Sequence, residues 1–200
     1  MFDERMRWGK EQVLGPLARP LLRFPPWLFS LLGLGMGIAA AAALAYQAYG
    51  LGFLFWFLNR LFDGLDGTVA RLKNEKSDLG GYLDILLDFI IYAIIPISLV
   101  LGQPSPAAYL SLVVLLAVFY VNAASWMYLA AILEKRSQTH TGRLTSVHMP
   151  AGIIGGTETI ILYTFFIFWP GWLVGLFYLM AGLVAITIVQ RLIWAVRHLA

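Results

Sequence analysis

The 200-residue chain contains no cysteine, and only 12% of its residues are charged. The first absence excludes disulfides, thiol chemistry and Cys-based zinc or iron–sulfur sites. The second excludes an ordinary soluble domain, in which about a quarter of residues carry charge. No polar stretch is long enough to build a basic recognition surface, so the formal net charge of +3 does not indicate a nucleic-acid partner. What fills the chain is apolar: 60% of residues are hydrophobic, and the mean hydropathy is +0.77. This composition predicts an all-α integral membrane protein, because a helix satisfies its own backbone polar groups in lipid.

A helix needs about 20 apolar residues to cross a hydrocarbon core. Six blocks meet that length, at roughly 27–48, 51–72, 81–101, 107–133, 149–168 and 172–194. The breaks carry turn chemistry: Tyr49-Gly50, Gly102-Gln103-Pro104-Ser105-Pro106 and Trp169-Pro170-Gly171. The expected organisation is a juxtamembrane segment over residues 1–26, followed by one six-helix domain over 27–200.

All but one of the 14 Lys and Arg residues fall in the N-terminal segment, in the regions 71–80 and 134–148, or near the end of the last helix. The positive-inside rule then puts both termini and both basic loops in the cytoplasm, as expected for an inner (cytoplasmic) membrane protein. Anionic membrane lipids are the expected partners of Arg19 and Arg23. Val13, Leu14, Leu17, Leu21 and Leu22 can share one broad face, so residues 1–26 read as an amphipathic interfacial helix, shortened or kinked by Pro16 and Pro20. The apolar run continues at full length through Ala43-Leu44-Ala45, which argues against a cleaved signal peptide.

The exceptional cation is Arg60, and it lies close to four carboxylates that sit within apolar spans. Asp63 and Asp66 are three residues apart, so they share a helix face that Gly67 and Ala70 continue. Gly80, Asp84 and Asp88 repeat every four residues on the next span. At a rise of 1.5 Å per residue, Asp63 lies about 13 Å in from Leu72, and Asp88 about 10 Å in from Gly81. The four can therefore converge at similar depth. Carboxylates at membrane depth are costly unless a cavity, a cation or a metal compensates them. Oxygen-only ligands favour hard ions such as Mg²⁺ or Mn²⁺, and a pair of these can clamp a diphosphate. Gly67 and Ala70 leave room for a ligand against the backbone, and Arg71 offers a planar cation for phosphate oxygens. The chemistry implied is transfer at a diphosphate bond. The competing reading is a membrane cation carrier, which leaves Gly67, Ala70 and Arg71 without a role. The glycines at 33, 35, 37, 152, 155, 156, 171 and 175 read as close-packing positions between helices.

The pattern Asp63-x-x-Asp66-Gly67-x-x-Ala70-Arg71, eight residues, Gly80-x-x-x-Asp84-x-x-x-Asp88 resembles the complete signature of the CDP-alcohol phosphatidyltransferases. The resemblance implies a homodimeric membrane enzyme of phospholipid synthesis that cleaves a CDP-linked substrate, releases CMP and joins the phosphoryl group to a polar alcohol. It further implies that Asp63, Asp66 and Asp84 ligate two divalent ions, with Asp88 near the metals and acting as general base. Gly67, Ala70 and Arg71 would hold the CDP portion, with Gly80 at the nucleotide. CDP-diacylglycerol is the expected donor. The alternative within the family is a soluble CDP-alcohol that gives its headgroup to a lipid hydroxyl.

Two departures are visible. Many members carry Pro-Asn followed by Ser or Thr at the start of the first span, whereas this chain has Pro25-Pro26-Trp27-Leu28-Phe29-Ser30. The Lys-Thr stretch often found after the signature in glycerophosphate-transferring members is missing, and Gly155-Gly156-Thr157-Glu158-Thr159 resembles a poorly characterised bacterial branch. The candidates for acceptor binding are Arg60, Lys135, Arg136, His140, Arg143, His148, Glu158 and Arg191, with an ion pair of Arg60 or Arg191 to Glu158 as the structural alternative.

Overall fold

The computed structural model of the chain describes residues 14–75, 77–139 and 152–199, and every regular element among them is helical. The chain forms two compact units, one up to Gln103 and one from Pro104. In the first, a short helical stretch over 14–18 runs into a 3₁₀ turn at Arg19–Leu21, followed by α1 (Pro26–Ala45), α2 (Tyr49–Leu72) and α3 (Asp78–Gly102). In the second are α4 (Pro106–Thr139), α5 (Gly156–Phe168) and, after a 3₁₀ turn at Pro170–Trp172, α6 (Leu173–Leu199).

Among the described residues, four stretches are long and apolar enough to cross a membrane: Pro26–Ala45, Asp78–Gly102, Pro106–Arg136 and Pro170–Leu199. The expectation of six spans is therefore met outright by four. Helix α2 has the length, but Arg60, Asp63, Asp66 and Arg71 interrupt its apolar run. Helix α5, with 13 residues, is about 20 Å long, short of a ~30 Å core. It begins at Gly156 instead of 149, and residues 140–151 lie outside the described residues.

In the first unit α1 is the shared neighbour of α2 and α3. Its small residues permit this. A Cβ at Gly33 would meet Phe62 Cβ at 3.5 Å, and one at Gly37 would collide with the Ile91 side chain. Among the described residues, nothing lies within 4 Å of such a Cβ at Gly35, Gly156, Gly171 or Gly175. At one end the unit is tied together: Gln47, at φ 60, donates its side-chain amide to Gly102 O, and Gln103 Nε2 donates to the Tyr49 hydroxyl at 2.6 Å. Gly102 must be glycine there, because a Cβ would stand 2.7 Å from Leu44 O.

At the opposite end, Leu14 and Ala18 of the N-terminal stretch bury against Phe29, Leu65 and Val69, with Leu21 and Leu22 packed beside them. Leu17 is half exposed, so the apolar face is narrower than the sequence suggested. Val13 lies outside the described residues. Helix α3 starts where Ser77 caps it, accepting the Gly80 N–H at 3.1 Å. In the second unit α6 packs on both α4 and α5.

Candidate functional site

Helix α2 contributes Asp63 and Asp66, helix α3 contributes Asp84 and Asp88, and all four line one pocket with Ser30, Gly33, Asn59 and Arg60. The i,i+3 and i,i+4 spacings put each pair on one face, and α1 closes the third side. Ser30 Oγ donates to Asp66 Oδ2 at 2.8 Å, and the Gly67 N–H donates to Asp66 Oδ1. Asp66 is buried, with both oxygens engaged.

Arg60 enters the same pocket. Its Nη1 donates to Asp88 Oδ1 at 2.8 Å and to the Tyr92 hydroxyl at 3.1 Å, while Nε donates to Asn59 Oδ1 at 2.8 Å. Asp63 Oδ2 lies 3.9 Å from the same Nη1. Neither Tyr92 nor Asn59 was singled out in the sequence, although Tyr92 continues the four-residue repeat of Asp84 and Asp88 and Asn59 adjoins Arg60.

A larger cleft of about 500 Å³ is lined by Pro25, Trp27, Gly67, Ala70, Arg71, Gly80 and Gly81 among others. Ser30, Asp66 and Asp84 line both cavities, so the cleft opens onto the acidic pocket. Gly67 and Ala70 form a low wall on α2. A Cβ at Gly67 would come within 3.3 Å of Arg71 Nη1, and a Cβ at Gly80 within 3.2 Å of Ser77 Oγ. Arg71 Nη2 donates to Thr68 Oγ1 at 3.1 Å, which holds the guanidinium near the helix. Trp27 is 60% exposed and faces this cleft.

Carboxylate oxygens with a neighbouring hydroxyl make a donor set suited to hard divalent cations. Four carboxylates around one arginine leave an excess of negative charge that such an ion would balance. The residues therefore fit the metal expected. Among the described residues, no three acidic or histidine side chains are drawn into a ready coordination shell, and the Arg60 guanidinium lies among the carboxylates.

The acceptor candidates are more dispersed. Glu158 lies in the first turn of α5, where its carboxylate accepts the Gly155 N–H at 2.9 Å, so it acts as a helix cap. Arg191 is buried on α6, and its Nη1 donates to Asn122 Oδ1 at 3.0 Å, to Asn122 O at 3.3 Å and to Ser125 Oγ at 3.5 Å. Among the described residues its buried Nε has no hydrogen-bond partner. Arg136 donates to His198 O and Leu199 O at 3.0 and 2.8 Å, closing the end of α6. Lys135 lies near the end of α4. His140, Arg143 and His148 lie outside the described residues.

The sequence pattern of the CDP-alcohol phosphatidyltransferase family matches residues 23–196. Inner membrane protein YnjF of Escherichia coli strain K12 is 40% identical over 116 residues, covering 58% of this chain and 55% of that protein. The match thus spans about half the length of that curated relative. Among solved structures, Mycobacterium tuberculosis phosphatidylinositol phosphate synthase PgsA1 with CDP-DAG bound aligns at a TM-score of 0.66 and 24% identity, over 90% of this chain and 92% of that one. Its apo form gives 0.65 at 24% identity over 90% and 94% of the two chains. Its complex with manganese and citrate gives 0.64 at 24% identity over 88% and 86%. At this identity the likeness speaks to the fold.

Proposed function

This chain belongs to the CDP-alcohol phosphatidyltransferase family, and from that premise we propose that it transfers the phosphatidyl group of CDP-diacylglycerol to a polar alcohol, releasing CMP. The observation that carries the reading is the continuity of two cavities: four aspartates line one, the glycine-walled cleft is the other, and Ser30, Asp66 and Asp84 border both. A cleft of about 500 Å³ suits a nucleotide-sized ligand. The choice of donor draws on the structural neighbour that carries CDP-DAG.

In this reading Gly67, Ala70 and Gly80 let the CDP portion lie close to the helix backbones, and Arg71 pairs with its phosphate oxygens. Asp63, Asp66 and Asp84 would hold Mg²⁺ or Mn²⁺, two ions by the family pattern, with Asp88 beside them. Bound there, such ions supply charge shielding of the diphosphate and stabilisation of the leaving phosphate. Ser30 fixes the orientation of Asp66 through the hydrogen bond described above. Asp88 takes the hydroxyl proton of the acceptor as its oxygen bonds to the lipid-linked phosphorus. The bond from that phosphorus to the bridging oxygen breaks, and CMP leaves with the oxygen. The acceptor is a polar alcohol, with a phosphorylated one favoured by the cations of the loops and helix ends.

The cation distribution supports both termini and the site facing the cytoplasm, with residues 1–26 lying along the membrane surface, 27–200 forming the transferase domain and α2 and α5 completing six spans. A homodimer follows from the family resemblance. The decisive experiment incubates purified protein with radiolabelled CDP-diacylglycerol, Mg²⁺ or Mn²⁺ and a panel of plain and phosphorylated alcohols, reading CMP and the lipid product by mass spectrometry. CMP release with a new phospholipid supports the proposal. Product formed only from a soluble CDP-alcohol and a diacylglycerol reverses donor and acceptor. Metal flux into sealed vesicles without CMP from either donor replaces the enzyme with a cation carrier.

A further inference from the structure

Arg60 stands within the acidic pocket, yet the transfer chemistry above gives it no task. The available tasks are narrowed by how firmly it is held. Its side chain is 9% exposed. One nitrogen binds both Asp88 and the Tyr92 hydroxyl, and another binds Asn59. The guanidinium carbon lies 5.0 Å from the Trp56 ring centre and 5.2 Å from that of Tyr92, within the range of cation–π attraction. Asn59 is itself anchored, donating to Gly33 O at 2.8 Å. A cation fixed by hydrogen bonds and two aromatic rings is poorly placed to reach out for the phosphate of an acceptor. It is well placed to define the position of the carboxylate it touches.

We infer that Arg60 is the positioning residue of Asp88: it holds Oδ1, leaves Oδ2 for proton transfer, and is the resident cation that tempers the pocket's affinity for divalent ions. The inference rests on the transferase reading and deepens it. Two physical consequences oppose each other, which makes the idea testable. A fixed positive charge among carboxylates repels an incoming metal ion, so removing it strengthens metal binding. The same removal frees Asp88 to rotate, so turnover falls even though the metal is bound more tightly. Lysine keeps the charge but lacks the planar fork that reaches Asp88, Tyr92 and Asn59 together. A residue that only stabilised the fold would give no such opposition.

The test uses the purified full chain with R60Q, R60K, Y92F, D88N and the double variant R60Q/D88N. Mn²⁺ affinity is read by electron paramagnetic resonance, and kcat and KM by CMP release from CDP-diacylglycerol. R60Q is expected to bind Mn²⁺ more tightly, on the order of tenfold, while kcat falls roughly 10- to 100-fold and KM for the donor is unchanged. R60K keeps the wild-type Mn²⁺ affinity but loses turnover. Added to D88N, R60Q causes no further loss of kcat, because Arg60 acts through that carboxylate. Wild-type turnover in R60Q, weaker Mn²⁺ binding in R60Q, or a full additional loss in the double variant overturns the inference. Should R60Q fail to fold, R60K and Y92F decide: lower kcat at constant Mn²⁺ affinity supports it, and wild-type kcat in both overturns it. Wild-type protein that releases no CMP from any donor overturns the transferase reading instead, a result distinct from wild-type activity that R60Q retains.

Discussion

Ser30 of α1 gives its hydroxyl proton to Asp66 of α2 at 2.8 Å, linking positions 36 residues apart in sequence. The bond fixes Oδ2 of a buried carboxylate whose Oδ1 already accepts the Gly67 N–H. Hydrogen bonds to charged groups of this kind contribute about 1.5–3 kcal/mol. S30A is therefore expected to lower Mn²⁺ affinity by roughly 10- to 100-fold, as losses of a partner behind a metal ligand commonly do. S30T, which keeps the hydroxyl, should bind Mn²⁺ nearly as the wild type does. Isothermal titration with Mn²⁺ checks both, and equal affinity in S30A removes Ser30 from the site.

Asp66 and Asp84 border both cavities, so their removal is expected to separate metal binding from folding. An ion that binds only the folded state raises its stability, by about 2.7 kcal/mol at a hundredfold excess over Kd. The wild type should therefore melt at a higher temperature as Mn²⁺ is added, whereas D66A and D84A should melt at a temperature indifferent to it and release no CMP. Melting curves of D66A that still rise with Mn²⁺ would place the metal elsewhere.

Trp27 faces the cleft at the position where the family resemblance leads one to expect Asn, and a flat indole can stack on a nucleobase where an amide would hydrogen-bond. Base–aromatic stacking is worth about 1–3 kcal/mol. W27A is expected to weaken CMP binding about 5- to 150-fold by that measure, and W27F to recover most of it. CMP is chosen because it has no acyl chains, so a change in its affinity reports the nucleotide contact and not anchoring of Trp27 in the membrane. Unchanged CMP affinity in W27A would assign the side chain to the lipid interface.

Gly37 offers a stability test in the packing behind the acidic pocket, whose lining includes Asn59 and Ile91. A methyl group there would collide with Ile91, and it would stand 3.2 Å from Asn59 Nδ2. Forcing extra volume into a packed contact usually costs about 1–3 kcal/mol. G37A should lower the melting temperature, and adding I91A should recover part of the loss. G35A, which meets nothing within 4 Å, serves as the control and should melt like the wild type or slightly higher.

Much of the helical framework can be read from the sequence because its punctuation is strong. Gly102-Gln103-Pro104 and Trp169-Pro170-Gly171 break the helices where they do in the structure. The ends that moved did so for local reasons. Helix α4 continues through Glu134, Lys135 and Arg136, which are good helix formers, so it outlasts its apolar stretch. Helix α5 starts late because Gly155 and Gly156 oppose an earlier start and Glu158 returns its carboxylate to the Gly155 N–H. The meeting of Asp63, Asp66, Asp84 and Asp88 was legible, since it needs only helix spacing and a short loop.

The partners of the buried arginines were not legible. Arg60 finds Asp88 and Tyr92 across α2 and α3, and Arg191 finds Asn122 and Ser125 across α6 and α4. Both choices depend on tertiary packing that no single-helix pattern encodes. The nearest available hint was that Arg60 precedes Asp63 by three positions, and so shares the face of the acids.

The ties of Gln47 to Gly102 and of Gln103 to Tyr49 have a mechanical corollary. They clasp α1, α2 and α3 at the end remote from the aspartates, where Gly102 also presses on the carbonyl of Leu44. Separating α1, α2 and α3 must therefore break polar bonds here as well as those that Ser30 and Arg60 make beside the aspartates.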